Sequence, residues 1–129
     1  MKADMHVHTE FSCDSEADMV KYIELGLERG LDAICFTDHV GLNKDDYGYN
    51  YYNEAAYFEK INQVKDAYND KIKVLSGIEF GEPHLYANRL QELSTLPYDF
   101  IIGSIHWIGD MFPCQKVREQ YSAKEFYTL

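Results

Sequence analysis

The sequence predicts an α/β fold built on a parallel sheet. Short apolar runs typical of buried strands alternate with helix-like patterns in the order β-α-β-α-β-α-β. This alternation repeats at about 30 residues, which is the length of a βαβ unit. The chain has 129 residues, a length that suits one domain with a single core.

The first predicted unit begins with a strand at Ala3–Val7. A helix is expected over residues 15–30, with Ser15 as its N-cap and Gly30 at C′. The apolar residues of this helix fall on one stripe at helical spacing: Met19, Val20, Ile23 and Leu27. Residues 31–36, "LDAICF", form a short apolar run between a glycine and a polar turn, which predicts a buried strand.

The later elements follow a loop at residues 41–53 that is rich in Tyr, Asn, Asp and Gly. A second helix is expected at 54–69, and its predicted inner face consists of Ala55, Phe58, Ile61, Val64 and Tyr68. The remaining predicted elements are a strand at 71–80, a helix at 82–96 with Pro83 in its first turn, a strand at 98–108 and a helix beginning at Ser122.

The composition excludes several classes of function. The formal net charge is −10, and such an acidic surface repels nucleic-acid backbones and anionic membranes. No apolar run approaches the roughly 18 residues that a membrane helix needs, and the N-terminus lacks a signal-peptide core. The three cysteines are odd in number and form no CxxC pair. We therefore expect a cytoplasmic protein with neither a nucleic-acid nor a membrane partner.

Polar side chains collect at the carboxyl ends of the four predicted strands. The first strand ends in His6 and His8, His39 follows the second, Glu79 lies at the end of the third and His106 lies on the fourth. These strand ends meet at one edge of a parallel sheet, where α/β folds bind ligands. A single histidine there is usually structural, but four histidines and a glutamate would leave costly unsatisfied atoms without a cation. The pattern therefore predicts a metal site.

The donor types indicate which metals and which chemistry. Imidazole and carboxylate donors without paired thiolates favour Zn, Mn or Fe. Glu79 could bridge two ions, and ions about 3.5–4 Å apart can clamp the attacking hydroxide and the leaving oxygen of a phosphoester. This suggests hydrolysis by a metal-activated hydroxide, with Glu79, His39 and His106 as the expected catalytic residues.

Four motifs in this order resemble those of the PHP (polymerase and histidinol phosphatase) superfamily, specifically its histidinol-phosphate phosphatase branch. They are "HVHTEFSCD", "CFTDH", "SGIE" and "GSIH". The resemblance implies a ligand set of His6, His8, Asp14, His39, Glu79 and His106, with Glu79 bridging. It also implies a distorted, TIM-like (β/α)7 barrel, with up to three divalent transition metals in a complete family member. This chain would supply the N-terminal four βα units.

The sequence departs from the family pattern towards its end. A further histidine and an Asp-x-His pair of the family have no match here, and seven units of about 30 residues need more than about 200 residues. We therefore expect residues 1–129 to be a single PHP domain without the later barrel strands. Its open sheet edges would favour self-association. The residues expected to face an interior without an opposite wall are Ile34, Phe36, Val74, Ile78, Ile101 and Ile105.

The resemblance implies a metal-dependent phosphomonoesterase that acts on L-histidinol phosphate in histidine biosynthesis. Two alternatives remain open: another PHP phosphoesterase, acting on nucleotides or small phosphates, and a non-catalytic metal-binding fragment. Lys116 and Arg118 are candidates to bind the substrate phosphate, and the tyrosine-rich loop 45–53 could wall a pocket for the substrate. Asp38 is expected to orient His39 without binding metal, and Glu82 to be solvated or to support a ligand.

Overall fold

The structure, a computed structural model, describes residues 1–113, 119–126 and 128. Its elements, in chain order, are β1 (Ala3–Val7), α1 (Met19–Glu28), β2 (Ala33–Val40), α2 (Glu54–Tyr68), β3 (Lys73–Gly81), α3 (Ala87–Leu93), β4 (Phe100–Ser104) and α4 (Ala123–Phe126). The strands form one parallel sheet in the order β1-β2-β3-β4. The predicted α/β class and parallel sheet are confirmed. β1 and β4 lie at the two edges, while self-association through them stays a prediction.

The first helix starts later than predicted. Asp18, and not Ser15, is its N-cap, because the Asp18 side chain accepts the Val20 amide at 2.7 Å. The Ser15 hydroxyl instead donates to the carbonyl of His8 at 3.0 Å and ties the preceding loop to the end of β1. The helix ends as predicted, since Gly30 adopts a left-handed φ of 69° just beyond it.

Other boundaries also differ from the prediction, and the largest differences are at β2, α3 and β4. β2 runs on to Val40 because the polar residues after Phe36 continue the ladder with β3. α3 is seven residues long, and Pro83 lies before it, in a turn where the Glu82 carbonyl accepts the amides of Leu85 and Tyr86. β4 ends at Ser104, so the "GSIH" histidine follows the strand and does not belong to it.

Helices α1, α2 and α3 pack on one face of the sheet. The larger core cluster joins β1–β3 to α1 and α2 through Val7, Met19, Ile23, Ile34, Phe36, Tyr57, Ile61, Val64, Ile72 and Val74. A smaller cluster joins β2 and β3 to α3 through Val40, Ile78, Phe80 and Leu93. On α2 the predicted inner face is right for Ile61 and Val64, but Ala55 is exposed and Tyr57 is fully buried.

The expectation of an unwalled apolar interior was wrong for most of its residues. Ile34, Phe36, Val74 and Ile78 are buried against the helices, and Ile101 packs on the smaller cluster; Ile105 alone is largely exposed, at 65%. Side chains alternate between the faces of a strand. Ile34 and Val74 each lie five residues before a site residue, an odd spacing that places them on the opposite face from the site.

Tyr57 fastens α2 to the middle of the sheet. Its hydroxyl donates to the Phe36 carbonyl and accepts the Gly77 amide, both at 2.9 Å, so it connects β2 and β3. The side chain is fully buried, and the ring packs edge-on against Phe11. Residue 77 must be a glycine for the strands to pack this closely, because a Cβ on Gly77 would come within 2.8 Å of the Phe100 carbonyl oxygen.

No helix within residues 1–113, 119–126 and 128 has both the length and the apolar character required to span a membrane.

We expect Tyr57→Phe to lower the free energy of unfolding by about 1–3 kcal/mol, because it leaves a buried carbonyl and a buried amide without a partner. Urea unfolding followed by circular dichroism measures this loss. Tyr22→Phe is the matched control, since the Tyr22 ring also packs on the core but its hydroxyl contacts no strand backbone in the described part of the chain. Equal losses in the two variants would contradict the bridging role.

Candidate metal centre

A bulge in β1 determines the face of the sheet from which the side chains of His6 and His8 project. Asp4 pairs with Ile34 and Val7 with Phe36, so three residues of β1 are set against two of β2. This register places Val7 in the core beneath the helices. His6 and His8 flank Val7, so their side chains project from the other face of the sheet.

The other strands bring their donors to the same place. His39 and Glu79 are register partners on β2 and β3, and side chains paired in this way lie on the same face. His106 follows β4, and Asp14 comes from the loop before α1. The Ser12 hydroxyl accepts the His39 amide at 2.9 Å and so joins that loop to β2.

Glu79 lies at the centre of the cluster and is only 5% exposed. Its Oε2 atom lies 2.8 Å from His6 Nε2 and 2.9 Å from His8 Nε2, while its Oε1 atom lies 3.1 Å from His106 Nε2. The two oxygens therefore face different histidines. This is the arrangement expected of a carboxylate that bridges two cations.

Asp14 completes the cluster on its other side. Its Oδ2 atom lies 3.1 Å from His8 Nδ1 and 3.3 Å from His39 Nε2. His39 Nδ1 in turn lies 3.7 Å from Glu79 Oε2. The structure thus brings together all six residues that the resemblance to the family implied as ligands.

The six residues form three overlapping groups that could each hold a cation. In each group the ligand atoms lie within 4.8 Å of one another; the groups are His6–His8–Glu79, His8–Asp14–His39 and His39–Glu79–His106. Every group offers two imidazoles and one carboxylate, a donor set that suits Zn, Mn or Fe. Within the first group, the two histidine Nε2 atoms approach to 2.9 Å. Nitrogens converging in this way beside a carboxylate fit a shared cation.

The close approach of these side chains shifts the pKa values of His8, Glu79 and His39. The hydrogen bond with Glu79 raises the pKa of His8 to about 9, and Asp14 adds to the effect against the opposing effect of burial. Burial opposes ionisation of Glu79, but hydrogen bonds from His106, His8 and His6 outweigh it and hold the pKa of Glu79 far below its usual range. Burial lowers the pKa of His39. A cation that binds through His8 must therefore displace a proton at neutral pH.

Two buried carboxylates outside the cluster hold the backbone beside it. Asp38 is fully buried and accepts both the amide and the hydroxyl of Thr9, the residue after His8. Glu82 is 2% exposed, and its Oε1 atom accepts the amides of His106 and Trp107. Asp38 therefore lies outside the donor cluster, as predicted, although it fixes the His8 segment and not His39.

Glu82 adopts a left-handed φ of 51°, which costs free energy for a residue other than glycine. This conformation turns the chain at the end of β3 so that the carboxylate reaches the segment after β4. Sequence reasoning left open whether Glu82 is solvated or supports a ligand, and the structure answers that it supports the segment carrying His106. The sequence pattern did not indicate Ser104, whose hydroxyl lies 2.9 Å from His106 Nε2.

The remaining sequence predictions concern the residues expected to contact the substrate. Lys116 and Arg118 lie outside the described residues, so their assignment to the substrate phosphate stays a prediction. In the tyrosine-rich loop, Tyr47 lines a cavity beside His39 and His106. Tyr52 instead packs on the core, with its hydroxyl 2.9 Å from that of Tyr98.

Comparisons with known proteins support these observations. A family model, "PHP domain", matches residues 4–128. A Lactococcus lactis subsp. lactis (strain IL1403) protein named "Histidinol-phosphatase" is 35% identical over 130 residues, which cover 98% of this chain and 44% of that protein. A Clostridium acetobutylicum protein named "Probable histidinol-phosphatase" is 28% identical over 126 residues, which cover 97% of this chain and 47% of that protein.

A solved structure shows the same fold. The crystal structure of histidinol phosphate phosphatase from Lactococcus lactis subsp. lactis Il1403, complexed with zinc, L-histidinol and phosphate, aligns with a TM-score of 0.77 and 36% sequence identity. The alignment covers 84% of this chain and 41% of that one. This likeness confirms the predicted fold class. The chain spans less than half the length of the curated relatives it matches.

Replacing the central carboxylate should weaken metal binding. We expect Glu79→Gln to lower the affinity for Zn²⁺ by at least about ten-fold, because the variant loses the negative charge that two of the three groups share. Glu82→Gln is the matched control: it removes the same charge but keeps an acceptor oxygen for the His106 amide. Competition with a chromophoric chelator measures both affinities, and equal losses would show that the wrong carboxylate had been chosen.

Proposed function

The chain belongs to the PHP domain family, and we propose that it carries the metal centre of a phosphomonoesterase that acts on L-histidinol phosphate. The single observation behind this proposal is the cluster of six donors around the buried Glu79 carboxylate. The names of the two relatives and the ligands of the Lactococcus structure support the choice of substrate.

The residues of the cluster would bind Zn, Mn or Fe, and divalent cations there would supply Lewis-acid activation of water and charge neutralisation for a phosphoryl group. Glu79 supports this role because its pKa lies far below the usual range, so it offers two charged oxygens at neutral pH. Glu82 holds the amide of His106 in place, and Asp38 does the same for the segment next to His8.

The number of cations that this chain can hold is limited by its histidines. A neutral imidazole has one nitrogen free to accept a cation, because the other carries the proton. His8 and His39 each belong to two of the three groups but can serve only one each. At most two groups can therefore have three donors from these six residues at the same time.

We accordingly expect this chain to bind fewer than three equivalents of Zn²⁺ tightly. Metal analysis after gel filtration in zinc-free buffer gives the stoichiometry, and isothermal titration separates tight from weak sites. The same measurement on the Glu79→Gln protein gives the matched reference. Three tight equivalents per chain would show that donors beyond these six residues complete the sites.

Substrate preference tests the proposed activity. This chain alone should hydrolyse little, but in a form that also carries the later barrel strands, with added Zn²⁺ or Mn²⁺, we expect L-histidinol phosphate to be hydrolysed with a kcat/KM at least about ten-fold above that for p-nitrophenyl phosphate. This is a difference of about 1.4 kcal/mol in transition-state free energy. Release of inorganic phosphate measures both reactions. Comparable rates on many small phosphates would favour a general phosphoesterase. Tight metal binding without turnover would favour the metal-binding alternative.

A further inference from the structure

A small cavity of about 140 Å³ adjoins the donor cluster. The residues that line it include His39 and His106 of the donor cluster as well as Asp46, Tyr47 and Phe112. Pockets for drug-sized ligands have volumes of roughly 300–1,000 Å³, so this cavity suits a smaller molecule. A group bound there would lie directly beside the proposed metal ligands.

Asp46 is held in a fixed position in the cavity wall. Its Oδ1 atom accepts the Gly48 amide at 2.7 Å, and its Oδ2 atom accepts the indole N–H of Trp107 at 3.0 Å. Trp107 is itself held, because its amide donates to the buried Glu82 carboxylate. A carboxylate offers about four lone-pair sites, so roughly two remain available for a ligand.

Gly48 makes this arrangement possible. A Cβ at this position would come within 2.7 Å of Cys13 Sγ and 3.1 Å of Asp46 Oδ1. A side chain at this position would therefore require Cys13, Asp46 or the loop to shift.

Among the residues that the structure describes, no lysine or arginine pairs with the Asp46 carboxylate, and the cationic group whose charge it affects is the imidazole of His106. None of the residues lining the cavity is Lys or Arg. Tyr47 and Phe112 add aromatic surface, which attracts cations as well as apolar groups. A half-buried, immobilised anion beside aromatic rings is a typical site for an organic cation.

We propose that this cavity receives a protonated amine on the alcohol part of the phosphate ester, with Asp46 as the counter-ion of that amine. The inference rests on the proposed function, since it assigns the site of the leaving alcohol. The metal centre would bind the phosphoryl group, which any phosphomonoester has. Asp46 would select esters whose alcohol carries a positive charge, and L-histidinol is such an alcohol.

Binding of the free alcohol to the zinc-loaded protein tests the proposal. Trp107 is the only tryptophan of the chain and contacts Asp46, so its fluorescence should report occupancy of the cavity. We expect Asp46→Asn to weaken L-histidinol binding at least about ten-fold. Asp45→Asn, the same charge change at the neighbouring residue, should weaken it less than about two-fold. The alcohol that lacks only the amino group, 3-(imidazol-4-yl)propan-1-ol, should bind wild type and Asp46→Asn within about two-fold of each other.

A second variant separates charge from loop position. Trp107→Phe removes a hydrogen-bond donor of Asp46 but keeps the carboxylate, so calorimetry should show L-histidinol binding within about three-fold of wild type. The proposal is overturned by a loss in Trp107→Phe as large as that in Asp46→Asn, by equal binding to wild type and Asp46→Asn, or by no binding to wild type.

The proposed function is tested separately by the binding of inorganic phosphate. Phosphate should bind the zinc-loaded wild type and Asp46→Asn within about two-fold of each other, and it should bind Glu79→Gln more weakly. Failure of phosphate to bind, together with Asp46-dependent binding of L-histidinol, would reject the phosphatase and leave the amine site standing.

Discussion

The arrangement of the site depends on the interactions that keep the Glu79 carboxylate charged although it is almost fully buried. A buried carboxylate is costly unless it is paired and hydrogen-bonded. Here histidines from β1 and from the segment after β4 lie at 2.8–3.1 Å from its two oxygens. These histidines lie on or just after the two edge strands, β1 and β4, and Glu79 lies on β3 between them, so the sheet must curl for them to meet. The pairing of one side chain thus constrains the curvature of the whole sheet.

The other buried carboxylates, Asp38 and Glu82, accept hydrogen bonds from the main chain and do not belong to the donor cluster. Asp38 and Glu82 each accept two donors from a segment that carries a histidine, including a backbone amide in both cases. Hydrogen bonds to charged groups contribute about 1.5–3 kcal/mol each, enough to fix a loop that would otherwise sample several conformations. The left-handed φ of Glu82 shows that the fold accepts backbone strain to place this support. The histidines are therefore positioned through their backbone as well as through Glu79.

Much of this arrangement could be predicted, because alternation and strand order follow from local pattern. The four strands, the parallel sheet and the convergence of four histidines with Glu79 were predicted from the chain, whereas the resemblance to the family implied Asp14. The prediction that Ile34 and Val74 face the barrel interior was wrong. Their odd spacing from His39 and Glu79 already indicated that they lie on the opposite face of the sheet from the site. The contacts of Glu82 could not be predicted, since they depend on a strained turn that brings residues 24 apart in sequence together.

Electrostatics connects the donor cluster to the choice of ligand. The chain has a net charge of −10, and the cavity and cluster include the carboxylates of Asp14, Asp46, Glu79 and Glu82. A phosphate group approaching this edge of the sheet would be repelled unless cations reversed the local charge. Such cations act only over a short range in salt, and the Asp46 carboxylate, held by Gly48 and Trp107, also lines the cavity. The site would therefore favour a ligand that is negative at one end and positive at the other, which is the charge pattern of an amino-alcohol phosphate.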